Sequence, residues 1–107
     1  MFVLKETNTS PVLRATLKDV NRNVINLTGA SIQFRMKEVG GSSLKVNATA
    51  SIVGSASNGI VQYVWTSNDT NQAGSFNAEF EVTFADGSKE TFPNEEFLTV
   101  VIKPDLV

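Results

Sequence analysis

Glu79 and Glu81 are the first candidates for chemistry in a chain that contains neither His nor Cys. On a strand they share a face about 7 Å apart, at roughly 3.3 Å of rise per residue. That separation suits the two carboxylates of an inverting glycosidase. Such a pair must sit in a cleft, with one carboxyl held protonated. These two project beside Asn77 and Thr83, which reads as a solvated sheet face. Glu95 and Glu96 are neighbours, so their side chains point apart on a strand. Asn68, Asp69 and Asn71 offer oxygens to a hard cation. They lack the regular spacing and the bidentate Glu of a calcium loop, and capping of a single helical turn over residues 67–72 accounts for Asn68 and Asp69. Four Asn-X-Ser/Thr triplets begin at Asn8, Asn26, Asn47 and Asn68. In a chain rich in Asn, Ser and Thr they read as chance. Ser and Thr nucleophiles have no general base in reach, and Gly40-Gly41 is too short to cradle phosphate with no helix pattern after it. The expectation is therefore no catalytic, cofactor-binding or metal-binding residues, and no enzyme.

Aromatic residues give the other route to a site. Phe34, Tyr63, Trp65, Phe76, Phe80 and Phe84 could form a platform for sugars or bases. All but Tyr63 are read as core, because they fall on the apolar phase of their segments. Tyr63 stays open, since its hydroxyl can reach the rim. A solvent-exposed Trp65 would favour carbohydrate binding.

The remaining limits come from composition. The 107 residues suit one domain, 1–107. Nine basic and eleven acidic residues give a net charge of −2 with no cluster of either sign, so no nucleic-acid partner is expected. Met1–Glu6 is too short and too soon charged to be a secretory signal, and no window is apolar enough to span a membrane. The protein reads as made in a cytosol and kept there, or built there into something that later leaves.

The elements that must position these residues follow from period-2 alternation. Phe76, Ala78, Phe80, Val82 and Phe84 alternate with Ser75, Asn77, Glu79, Glu81 and Thr83. A strand puts those two sets on opposite faces, one dry and one wet. Leu13, Ala15 and Leu17 repeat the pattern, as do Ile32, Phe34 and Met36, and Val61, Tyr63 and Trp65. Val46, Ala48, Ala50 and Ile52 share a face more weakly, and residues 97–102 are apolar on both faces, which suits a central or covered strand. Short strands at this spacing predict an antiparallel sandwich. Asp86-Gly87 predicts a hairpin. A two-residue loop pairs Val82 with Thr91 and exposes Phe92. A bulged loop pairs Val82 with Phe92 and buries it, a gain of roughly 1.5–3 kcal/mol, and is preferred. Pro93 interrupts the ladder, and residues 104–107 trail off like a terminus or linker stub.

Three stretches together carry a family resemblance. They are residues 13–19 (LRATLKD) with 26–37 (NLTGASIQFRMK), residues 59–65 (GIVQYVW) continuing to 73–82 (AGSFNAEFEV), and residues 84–94 (FADGSKETFPN) ending at 98–100 (LTV). In this order and spacing the chain, from about Leu4 to Ile102, resembles the N-terminal domain of phage baseplate upper proteins. The resemblance implies an immunoglobulin-like sandwich, here an antiparallel one of about seven to nine strands. It further implies a non-enzymatic virion structural protein, a tail or baseplate connector assembled in the host cytoplasm. Its partners would be other virion proteins, with a homo-oligomer open and no nucleic acid or membrane. Docking is expected through sheet edges, the N-terminal strand and polar loops. The alternative is an extracellular adhesive or carbohydrate-binding sandwich. In the same comparison Phe76 stands where immunoglobulin domains usually place a corner Tyr, and Ala78 where they place a Cys.

Overall fold

The computed structural model describes residues 1–93 and 98–106. Eight strands appear among them: β1 (Phe2–Lys5), β2 (Leu13–Thr16), β3 (Ser31–Glu38), β4 (Leu44–Ile52), β5 (Ile60–Tyr63), β6 (Gly74–Thr83), β7 (Lys89–Phe92) and β8 (Leu98–Lys103). They form one sheet in the order β1-β8-β6-β3-β4-β5-β2, rolled into a nearly closed, barrel-like sandwich. β4 makes the corner. Its first part pairs with β3, and Ser51 and Ile52 pair with β5 on the opposite layer. β6 divides its second edge between two strands, β8 along residues 74–78 and β7 along residues 80–83.

Alternation explains which side chains fill the interior. Phe76, Ala78, Phe80 and Val82 are buried, as are Ile32, Phe34 and Met36 opposite them. Val61 and Tyr63 come from β5 and Leu13 from β2 to close the other side. The rings of Phe34 and Tyr63 stack at 4.5 Å, and Phe34 meets Phe80 at 5.1 Å and Trp65 edge-on at 5.6 Å. Each pair adds to the plain area term a preference for one packing geometry. β8 lies between β1 and β6 and turns Val100 and Ile102 into the core.

Three expectations need correction. The sheet is not wholly antiparallel, since β1 runs parallel to β8 from Phe2↔Val100 to Lys5↔Lys103. The β6–β7 hairpin does bury Phe92, but opposite Phe80, with Val82 facing Glu90. The loop holds three residues, Ala85, Asp86 and Gly87. The Phe84 N–H donates to the Ser88 carbonyl, and Gly87 closes the turn at φ 89° while the Asp86 carboxylate accepts from the Ser88 N–H and hydroxyl. This is a type I turn followed by a left-handed residue, a three-residue hairpin solution that glycine permits. Finally, residues 67–72 form turns and bends. The one helical turn among the described residues is the 3-10 segment Ala56–Asn58. It ends at Gly59, where a side chain would come within 2.8 Å of the Ile25 carbonyl.

Candidate docking surface

The outward residues of β3 and β6 form a polar face. Arg35 lies straight across from Glu79 in the register. It nevertheless reaches diagonally to Glu81, with Nη1 donating to Oε2 at 2.9 Å and Nη2 to Oε1 at 3.2 Å. Such a two-pronged contact is the geometry a guanidinium best offers a carboxylate. Asn47 on β4 braces it, its Oδ1 accepting from Gln33 Nε2 at 2.8 Å and Arg35 Nε at 3.4 Å. The hydrogen bond from Arg35, with the charges of Arg35 and Lys89, holds the Glu81 carboxyl below its ordinary range. A general acid needs the opposite shift. Glu79 and Glu81 therefore share a face but not a cleft.

Glu79 faces a shallow groove instead. Lys37, Gly40, Gly41, Leu44 and Asn77 complete its wall, around a volume of about 310 Å³. Val39 and Leu44 stand exposed at the same end of the β3–β4 hairpin. A second apolar tip lies between β2 and β3. There Asp19 Oδ1 accepts from the Asn21 and Asn23 N–H groups and presents Val20, which is 79% exposed.

The other polar candidates are engaged within the fold. Asp69 Oδ2 accepts the Tyr63 hydroxyl at 2.6 Å and the Thr66 N–H at 2.8 Å. Burial first, and then the Asp69 carboxylate, push the Tyr63 hydroxyl well above its usual range. Asn71 accepts from Lys45, Asn26 from Thr28, and Asn47 is committed to the Arg35 brace. Asn68 sits in the turn beside Asp69. Among the described residues no three acidic side chains gather as a metal site. Glu95 and Glu96 lie outside the described residues.

Trp65 is 2% exposed, so it offers no platform. Phe34, Phe76 and Phe80 are buried with it, and Phe84 is half-buried. Two residues escaped the sequence reading. Arg35 is one, because its diagonal pairing with Glu81 follows from register. Thr70 is fully buried and donates to the Asn8 carbonyl at 2.9 Å, across 62 residues of chain. No local signal marks it.

The outer face of β3 and β6 is polar and internally paired, and Val20, Val39 and Leu44 are exposed apolar residues elsewhere on the surface. Among the described residues no helix is long and apolar enough to cross a membrane. In comparisons with known proteins, the family described as the BppU N-terminal domain matches residues 3–107. No curated protein and no solved structure matches the chain.

Proposed function

The chain belongs to the BppU N-terminal domain family, a phage baseplate upper protein family, and from that premise we propose that it is a tail or baseplate connector working by protein–protein docking. The match across residues 3–107, which takes in every strand apart from the first residue of β1, carries this reading. The chemistry of the surface agrees with it. Glu81 is neutralised by Arg35, and the exposed apolar residues Val20, Val39 and Leu44 lie on turns and strand ends that a partner can reach. Sheet margins add backbone groups that a partner strand could cap. The role is structural and non-enzymatic, with assembly into the virion in the host cytoplasm.

An immunoglobulin-like assignment is part of the proposal. With β1 to β6 lettered A to F and β8 lettered G, the order β8-β6-β3 reads G-F-C and β4-β5-β2 reads D-E-B. Those are the two layers of an immunoglobulin domain, and β7 is then an added strand between F and G.

Size-exclusion chromatography with light scattering tests the role, using the chain alone and mixed with phage tail and baseplate proteins. The expected result is a stable complex with at least one of them. A chain that binds none would overturn the docking role.

A further inference from the structure

We propose that β1 is an exchangeable strand, which leaves its slot on β8 and is replaced there by β1 of a second copy of the chain. Three features of the N-terminal margin lead to this. β1 is held by one neighbour through four parallel pairs, and its other edge is a sheet margin. Parallel pairing is slightly weaker per residue than antiparallel pairing. The strand then ends in a tight turn, where the Asn8 N–H donates to the Lys5 carbonyl at 3.1 Å. Thr7, the third residue of that turn, has φ 65°. Gly or Asn is at home there, and a β-branched residue is strained. Straightening the hinge releases that strain, and short strained hinges invite exchange.

Opposing this are three hydrogen bonds that latch the hinge, the first from the Glu6 N–H to the Lys103 carbonyl at 2.9 Å. The Thr7 N–H donates to the Thr70 carbonyl at 2.9 Å, and the buried Thr70 hydroxyl donates to the Asn8 carbonyl. Beneath the strand, the Phe2 ring lies 5.9 Å from that of Trp65. The Trp65 indole N–H is buried without a partner among the described residues. Opening the slot would let water reach the indole, which offsets part of the cost of lifting Phe2.

The occupant follows from the slot. It already accepts Phe2, Val3, Leu4 and Lys5 in register with Val100 to Lys103, and Leu4 is 3% exposed there. The strand that satisfies those requirements residue for residue is another copy of β1. Exchange between copies remakes every β1–β8 contact and changes only the hinge. It requires nothing of the virion role.

The absence of native Cys makes the test clean. Val3 and Val101 are registered neighbours on the outer face. Val3→Cys and Val101→Cys are made in separate chains of different mass, refolded together at high concentration, and joined by a short bismaleimide cross-linker. The expected product is a mixed dimer linking the two chains, with a dimer of the unmodified chain seen by light scattering under the same conditions. Introducing Thr7→Gly should lower the dimer association constant about tenfold per hinge, because glycine accepts the left-handed turn without the steric cost borne by other residues. Monomers only, or links solely between two Val3→Cys chains, would overturn exchange; the latter would mean edge-to-edge pairing of intact domains.

Discussion

The middle of the sheet and its N-terminal margin use the same alternation, yet they are held very differently. β3 and β6 share eight registered pairs, and each also pairs on its far side. Phe34 of β3 packs against Tyr63 and Trp65 and against Phe80 of β6. β1 has four pairs to one strand, one fully buried side chain in Leu4, and a strained turn at its end. Strands with two neighbours should open least readily, and a strand with one neighbour most readily. A strand at the margin is free to serve contacts outside the domain.

The largest effects should separate the two regions. Phe80→Ala removes a fully buried ring from the centre and should cost about 3–5 kcal/mol, read from urea unfolding. Leu4→Ala should cost about 2 kcal/mol, the low end for a buried Leu, because β1 can shift or lift without the centre. Amide exchange should show the same order, with β1 protected far less than β3 and β6. Equal losses and equal protection would erase the distinction.

The two regions were also unequally legible in the sequence. Phe76 to Phe84 announced β6 through a long run of strict alternation, and Ile32, Phe34 and Met36 did the same for β3. Over such lengths a slip of one residue turns every ring outward, so pattern and register are tied together. β1 is too short for its pattern to stand out. Its parallel pairing to β8 depends on a contact nearly one hundred positions away. The hairpin shows the boundary between the two cases. Burial of Phe92 was readable from its hydrophobicity, whereas the three-residue loop of Ala85, Asp86 and Gly87 depended on Asp86 bonding Ser88. The candidate surface behaved likewise. Glu79 and Glu81 were correctly placed on one wet face, but Glu81 was spoken for by Arg35, a diagonal partner that only register reveals.

Tyr63 connects the regions, so its removal sharpens the comparison. It stacks on Phe34 in the centre and bonds Asp69, the neighbour of the Thr70 that latches β1. Tyr63→Phe keeps the stack and deletes the hydroxyl. The expected cost is about 1–2 kcal/mol, with amide exchange accelerated over the wild type more in β1 than in β3. The wild type has a matching alkaline signature. Because folding raises the Tyr63 value above its ordinary 10.0, this contribution is complete below that pH and fades as pH climbs toward the folded value. Tyr63 is the only tyrosine, so ultraviolet difference spectra report it alone. Ionisation should coincide with unfolding rather than precede it.

The smallest effect belongs to the outer face of the centre. Glu81→Gln breaks the Arg35 pair, whose partners are 30% and 19% exposed at their side chains, so water already screens much of the attraction. A loss of about 0.5–1 kcal/mol is expected from thermal or urea unfolding at neutral pH. Folding lowers the Glu81 value from its ordinary 4.5, so the pair's contribution is complete above that pH and disappears as acid carries the pH down through the folded value. The stability difference between wild type and Glu81→Gln should therefore be flat at neutral pH and close in acid. β1 exchange should not change, because Arg35 and Glu81 touch neither the hinge nor its latch. A larger cost, or one that loosened β1, would mean that the polar face helps hold the sandwich together. Should the effect stay small and local, that face can be altered by contact with a partner while the centre stays intact, as a docking domain requires.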